Sequence, residues 1–104
     1  MKVRKPINIE GEEAAVFVAQ VADALAHPVR VALLHYVRWK ATVRNDVCNK
    51  DLVANFDYSQ SSLSQHVRKL KEAGLFKVEY KNRFSFYSVD EALLRRYLDT
   101  LRDL

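Results

Sequence analysis

The chain has 104 residues, 49% hydrophobic and 29% charged, the make-up of one globular domain with one modest core and little room for a separate catalytic domain. Two Gly and two Pro exclude a glycine-rich phosphate loop and a linker-rich chain, and a single cysteine, Cys48, excludes an intrachain disulfide framework and fits a reducing compartment. The net charge is +4, a basic balance whose meaning depends on where the surplus sits.

Residues 1–10 are polar, contain Pro6 and show no period, so they read as a flexible N-terminal arm ahead of a domain spanning 11–104. No apolar segment follows Lys2, Arg4 and Lys5, and no apolar run approaches the roughly 20 residues of a membrane span. A cytoplasmic protein without a membrane partner is expected. From Glu12 the pattern is helical, with Val18, Val21, Ala22 and Leu25 at i, i+3, i+4 and i+7. His27-Pro28 ends this helix and starts another, because the residue before proline is pushed out of the α region while proline suits a first helical position. The second helix is expected to run from Pro28 to about Trp39, with Val31, Leu34 and Val37, beside Leu33, as its apolar stripe. Lys40 to Asp46 reads as a charged loop. A short third helix follows over about Val47–Asn55, with Val47, Leu52 and Val53 inward.

Ser59 is a good N-cap for the clearest helix of the chain, Gln60 to about Ala73. Leu63, Val67 and Leu70 fall on one face, and Gly74 supplies a left-handed residue beyond the end. The period then changes to 2. Phe76, Val78 and Tyr80 alternate with charged residues, and Phe84, Phe86 and Ser88 alternate with Ser85, Tyr87 and Val89, so a hairpin is expected around Asn82, with Phe76, Val78, Phe84 and Phe86 closing the core. Asp90 caps a last helix whose Leu94, Tyr97, Leu101 and Leu104 form a seam like that of a coiled coil. The seam has little chain left to cover it and reads as a dimer surface.

The order α-α-α-α-β-β-α is mainly helical with a β-hairpin wing, and the third and fourth helices make a helix-turn-helix. Residues 59–83 hold a surplus of +4 by themselves, with Arg68, Lys69, Lys71, Lys77, Lys81 and Arg83 against Glu72 and Glu79. That concentration suits a polyanion, although a solvated charged face has the same composition. The outward side of the fourth helix distinguishes the two. Gln60, Ser61, Ser62, Ser64 and Gln65 are base-reading types, and Arg68 and Lys69 reach guanine or phosphate a turn or two later. Serine is a poor helix former, so three within four residues do not look like an ordinary surface helix. Lys81 and Arg83 at the hairpin tip suit the minor groove or its phosphates.

The stretch from Val21 to Leu34, with its Ala26-His27-Pro28-Val29-Arg30 segment, resembles the opening helices of the ArsR/SmtB family of winged helix-turn-helix repressors. Tyr58 to Leu75 resembles that family's recognition helix nearly residue for residue, and Phe84 to Val89 its second wing strand. The resemblance covers about residues 12–104. It implies a homodimer packed through the first and last helices, here by Phe17, Val21, Leu94, Tyr97, Leu101 and Leu104. It also implies repression from an inverted-repeat operator and release by an inducer, and it places Gln60, Ser61, Ser62, Ser64, Gln65 and His66 against double-stranded DNA, with Lys81 and Arg83 in the wing.

The family's metal chemistry transfers poorly. Arsenic-type members carry Cys-Val-Cys in the third helix where this chain has Cys48-Asn49-Lys50, and zinc-type members pair Asp with His on the last helix, which here has neither His nor Cys. No metal, cofactor or catalytic residue is expected, and the inducer is unassigned. Cys48 is a candidate redox or ligand residue, or a small buried apolar one. His27 reads as a structural cap, His35 as a half-buried hydrogen-bonded residue, and His66 as a phosphate contact at the edge of the DNA face. The alternative function is a winged-helix protein-docking module using Phe17, Tyr36 or Trp39.

Overall fold

Two long helices built on the apolar periodicity of the first third of the chain meet at His27-Pro28. The computed structural model describes residues 9–43 and 46–104. Of the expected arm, residues 1–10, all but Ile9 and Glu10 lie outside the described residues, and those two open α1 (Ile9–Leu25). Helix α2 (Pro28–Val43) leaves at 92° to it. The His27 carbonyl accepts from the Arg30 and Val31 amides, and its ring Nδ1 accepts from the Val29 N–H (3.2 Å), so His27 does cap the second helix. The stripe of α2 is Val29, Leu33 and Val37, one turn apart each, with Leu33 fully buried. Val31, expected inward, is 49% exposed. The helix also takes in residues 40–43, the first part of the stretch expected as loop. Lys40 and Ala41 are good helix formers, and the Thr42 hydroxyl donates to the Trp39 carbonyl (2.7 Å) near the helix end. His35 is exposed, not half-buried, because it lies two positions from Leu33 and Val37, on the opposite side of the helix.

Val47–Cys48 is a short strand, β1, rather than the start of the third helix. β-Branched Val47 pairs with Tyr87 and Cys48 with Phe86, and α3 (Asn49–Asn55) begins only after them, with the Cys48 N–H held by the Asp51 carboxylate (2.9 Å). Leu52 is buried; Val53, one position round the helix, is 44% exposed. Helix α4 (Gln60–Glu72) follows a four-residue connector. Strands β2 (Phe76–Lys81) and β3 (Phe84–Val89) form the hairpin, and β3 is central in the antiparallel order β1-β3-β2.

The two-residue turn fixes the register, with Lys81 opposite Phe84 and Val78 opposite Tyr87. The inward set is therefore Phe76 and Val78 with Val89 and Tyr87. Tyr87 and Val89 pack on the core, while Phe84 and Phe86 belong to the opposite face, where the Lys50 ammonium lies 4.7 Å over the Phe84 ring. That is a correction to the alternation read from the sequence, and its cause is pairing rather than hydrophobicity.

Helix α4 ends in a complete Schellman motif. The Leu75 N–H bonds the Leu70 carbonyl (3.0 Å) and the Gly74 N–H the Lys71 carbonyl (2.9 Å), with Gly74 at φ 84°. Leu70 and Leu75 are both fully buried. A methyl group at Gly74 would sit 2.7 Å from Leu93 Cδ1. Gly74→Ala is therefore expected to destabilise the fold by about 1–3 kcal/mol, combining left-handed strain with overpacking, read as a lower urea midpoint.

Helix α5 (Glu91–Arg102) is capped by Asp90, whose carboxylate accepts from the Leu93 N–H (3.0 Å) and whose own N–H donates to the Leu75 carbonyl (2.9 Å). The Arg38 guanidinium grips the Glu91 carboxylate through two contacts of 3.0 Å and ties α2 to the first turn of α5. The expected apolar seam divides. Leu94 and Tyr97 are buried in the chain's own core, as is Val21 of α1, so these three are core residues rather than free surface. Leu101 and Leu104 remain exposed, joined by Leu98. Among the described residues no single helix is long and apolar enough to cross a membrane.

Candidate nucleic-acid interface

One face of α4 is fixed and the other is free. Leu63, Val67 and Leu70 recur at i, i+4 and i+7 and are buried. Ser59 opens the helix by accepting from the Ser62 N–H (3.1 Å), and the Ser59 and Ser62 hydroxyls are linked at 3.1 Å. Ser59→Ala should therefore cost about 1 kcal/mol of stability, measurable by thermal unfolding. The same contacts change the reading of Ser62. It is half-buried and serves the cap, which explains one of the three serines without DNA.

Gln60, Ser61, Ser64, Gln65, Arg68 and Lys69 are all exposed on the opposite side. The helix thus displays neutral donors and acceptors over its first two turns and cations after them. Gln60 and Ser64 also border a shallow groove shared with Asn49 of α3 and Ser85 of β3. Asn49 Oδ1 accepts from the Ser85 N–H (3.2 Å), holding the wing against α3. Lys71 joins α4 to the other wing strand, its ammonium 3.3 Å from the Tyr80 hydroxyl and 5.8 Å from the ring centre.

The wing tip places Lys81 and Arg83 in solvent. Asn82 and Arg83 have φ of 50° and 70°, the pair of positive values a tight two-residue hairpin turn needs. Asparagine tolerates this conformation; arginine there costs about 1–2 kcal/mol, a strain kept at a position whose side chain is an exposed cation. Lys81 is partly neutralised by Glu79 at 3.3 Å, an exposed pair of little energetic weight.

His66 stands apart from the outer row. Its ring packs against His27 with centroids 4.6 Å apart, its Nδ1 lies 3.3 Å from the Arg30 Nη1, and Tyr58 approaches edge-on at 6.4 Å. Burial first, then His27 and Arg30, hold its pKa below the ordinary histidine value. The sequence placed His66 on the DNA face; the structure turns it toward the α1–α2 junction. Arg30 and Tyr58 escaped sequence reasoning as site residues, since only the fold brings them to the helix.

Cys48 is half-buried at the sheet edge, paired in register with Phe86. Among the described residues no group of three or more His, Cys, Asp or Glu could hold a metal ion. Of the aromatic residues considered for protein docking, Phe17 lies under the Arg96 guanidinium (4.1 Å), Tyr36 packs edge-to-face on Phe56 (5.6 Å), and Trp39 is 53% exposed.

A helix-turn-helix whose second helix carries a polar row beside a cationic hairpin defines a winged helix-turn-helix DNA-binding protein. Residues 27–78 match the model of the bacterial regulatory proteins of the arsR family, and the chain belongs to that family of DNA-binding transcriptional regulators, which are not enzymes. Solved structures agree on the fold. An ArsR-like transcriptional regulator from Rhodococcus sp. RHA1 superposes with a TM-score of 0.74 at 22% identity, over 88% of this chain and 81% of that one. NolR from Sinorhizobium fredii gives 0.68 at 26% identity, over 96% and 95%. The homodimeric winged helix-turn-helix DNA-binding domain of Mb0332 from Mycobacterium bovis gives 0.68 at 17%, over 96% and 91%. No curated protein matches the sequence significantly.

Proposed function

We propose that this regulator is a cytoplasmic homodimeric repressor that reads an inverted-repeat operator with Gln60, Ser61, Ser64 and Gln65, and grips phosphates with Arg68, Lys69 and the wing residues Lys81 and Arg83. The observation that carries the reading is the two-sided build of α4: three buried leucine and valine side chains on one face, an unbroken exposed row of base-reading and cationic side chains on the other. Such a helix fits the major groove, and two of them spaced roughly 34 Å apart would meet successive turns of one duplex face. Ser62 and His66 have intramolecular partners and support the helix from behind the reading row.

Apolar exposure on α1 and α5, which pack together, supports the dimer. Val16 of α1, Leu98 and Leu101 of α5, and Leu104 just beyond it are between 45% and 72% exposed. Because Leu94 and Tyr97 belong to the core, deleting α5 would unfold the chain rather than separate subunits. Leu98→Asp with Leu101→Asp spares the core and should give a folded monomer in sedimentation; a dimer of unchanged stability would refute this interface.

The DNA reading is tested by selecting bound duplexes from a random pool and then measuring affinity for the winner against excess random duplex. An enriched inverted repeat is expected, with affinity falling steeply as salt rises because each phosphate contact releases counterions. A pool that yields no enriched sequence would overturn it.

A further inference from the structure

The recognition helix is fastened to the α1–α2 junction by a cluster whose hydrogen bonds require uncharged imidazoles. Arg30 donates through Nε to the Ala24 carbonyl (2.6 Å) and through Nη2 to the Asp23 carbonyl (3.3 Å), closing the end of α1. Its remaining nitrogen, Nη1, reaches His66 Nδ1 at 3.3 Å. A guanidinium has donors and no acceptor, so His66 Nδ1 must offer a lone pair and keep its proton on Nε2. His27 is bound by the same logic, since its Nδ1 accepts from the Val29 N–H (3.2 Å). The two rings lie 4.6 Å apart at 49° to each other.

A proton on His66 removes the acceptor Arg30 uses and sets an imidazolium against a guanidinium. The His27 ring, 4.6 Å away, opposes that charge as well. Among the described residues, His27 from the junction, Arg30 from α2 and Tyr58 from the connector face the His66 ring, and none of the three is a carboxylate. Asp23 of α1, and Lys69 and Glu72 of α4 itself, line the adjoining groove.

We propose that His66, held by Arg30 and His27, is a positioning residue that fixes the recognition helix in its DNA-reading orientation and releases it when its imidazole takes up a proton. The proposal rests on the DNA-reading role of α4. Its pH window follows from chemistry already described: burial and the charges of His27 and Arg30 lower the His66 pKa in the folded chain, so the unfolded chain, near 6.5, takes the proton first. The stabilisation is complete above about pH 6.5 and is lost as pH falls from there through the folded value.

The test uses His66→Asn. The Asn Oδ1 is bonded to Cγ as the imidazole Nδ1 is, so it keeps an acceptor for Arg30 while losing the titration. The probe is the duplex recovered from the random pool. Between about pH 7.5 and about pH 5.5 the parent protein is expected to lose roughly threefold more specific affinity than His66→Asn, and to lose more urea stability without DNA. In the parent, the His66 ring proton resonances should titrate with a midpoint below 6.5. Specific binding with parallel pH profiles in the two proteins overturns the proposal alone, and so does a His66 midpoint at or above 6.5, a measurement that stands even if the variant fails to fold. Absence of specific binding at both pH values overturns the DNA-reading assignment, and this proposal with it.

Discussion

Gln65→Ala is expected to weaken operator binding by about 1–3 kcal/mol, a loss of roughly 5- to 150-fold, while leaving affinity for random duplex unchanged. Gln65 is exposed in the second turn of α4, and its amide offers a donor and an acceptor together, the pair an adenine edge can take bidentately. It neighbours Arg68, which a phosphate role should make insensitive to sequence. Arg68→Ala is accordingly expected to weaken cognate and random duplex alike and to lower the salt slope by about 1. Fluorescence anisotropy over a salt series with both duplexes separates the two outcomes. Equal losses for Gln65→Ala on both duplexes would remove it from the base-reading row.

Leu70→Ala is expected to cost about 2–5 kcal/mol of folding stability, a large part of the 5–15 kcal/mol that holds a domain together. Leu70 is fully buried at the last turn of the recognition helix, and Leu75, the residue bonded to its carbonyl, is fully buried too. Truncation leaves a cavity where α4 enters the core, and the rigid Schellman turn beside it resists collapse into the space. Urea unfolding should show a lower midpoint with an unchanged slope. A loss below about 1 kcal/mol would mean that the site closes up and that the helix is anchored chiefly by Leu63 and Val67.

Much of the site was legible in the sequence because α4 is specified locally. Its cap, its apolar spacing and its terminating glycine all lie within sixteen residues, and they fix which side must face out. The hairpin was legible for a similar reason, since the change of period and the Asn82 turn are short-range signals. What escaped depends on pairing between distant segments. β1 exists because β3 is there to bond it; a two-residue strand has no pattern of its own. The inward face of β3, and Val31 in the stripe of α2, were misassigned because several apolar residues compete for each face, and only the turn register and the α1–α2 crossing choose among them. His66 was read with the face its neighbours occupy, and a histidine that turns instead toward Arg30, 36 positions earlier, leaves no trace in spacing.

The hydrogen bond from Asp90 to Leu75 closes the hairpin into a loop pinned at both roots, one against the end of α4 and the other at the cap of α5. Slack between these two helices is therefore small, and a tilt of one is geared to the other. If subunits join through α5, a slight change in how the protomers lean together moves both reading heads in concert, like the jaws of a caliper. A signal need not touch the operator-facing row to spoil its gauge.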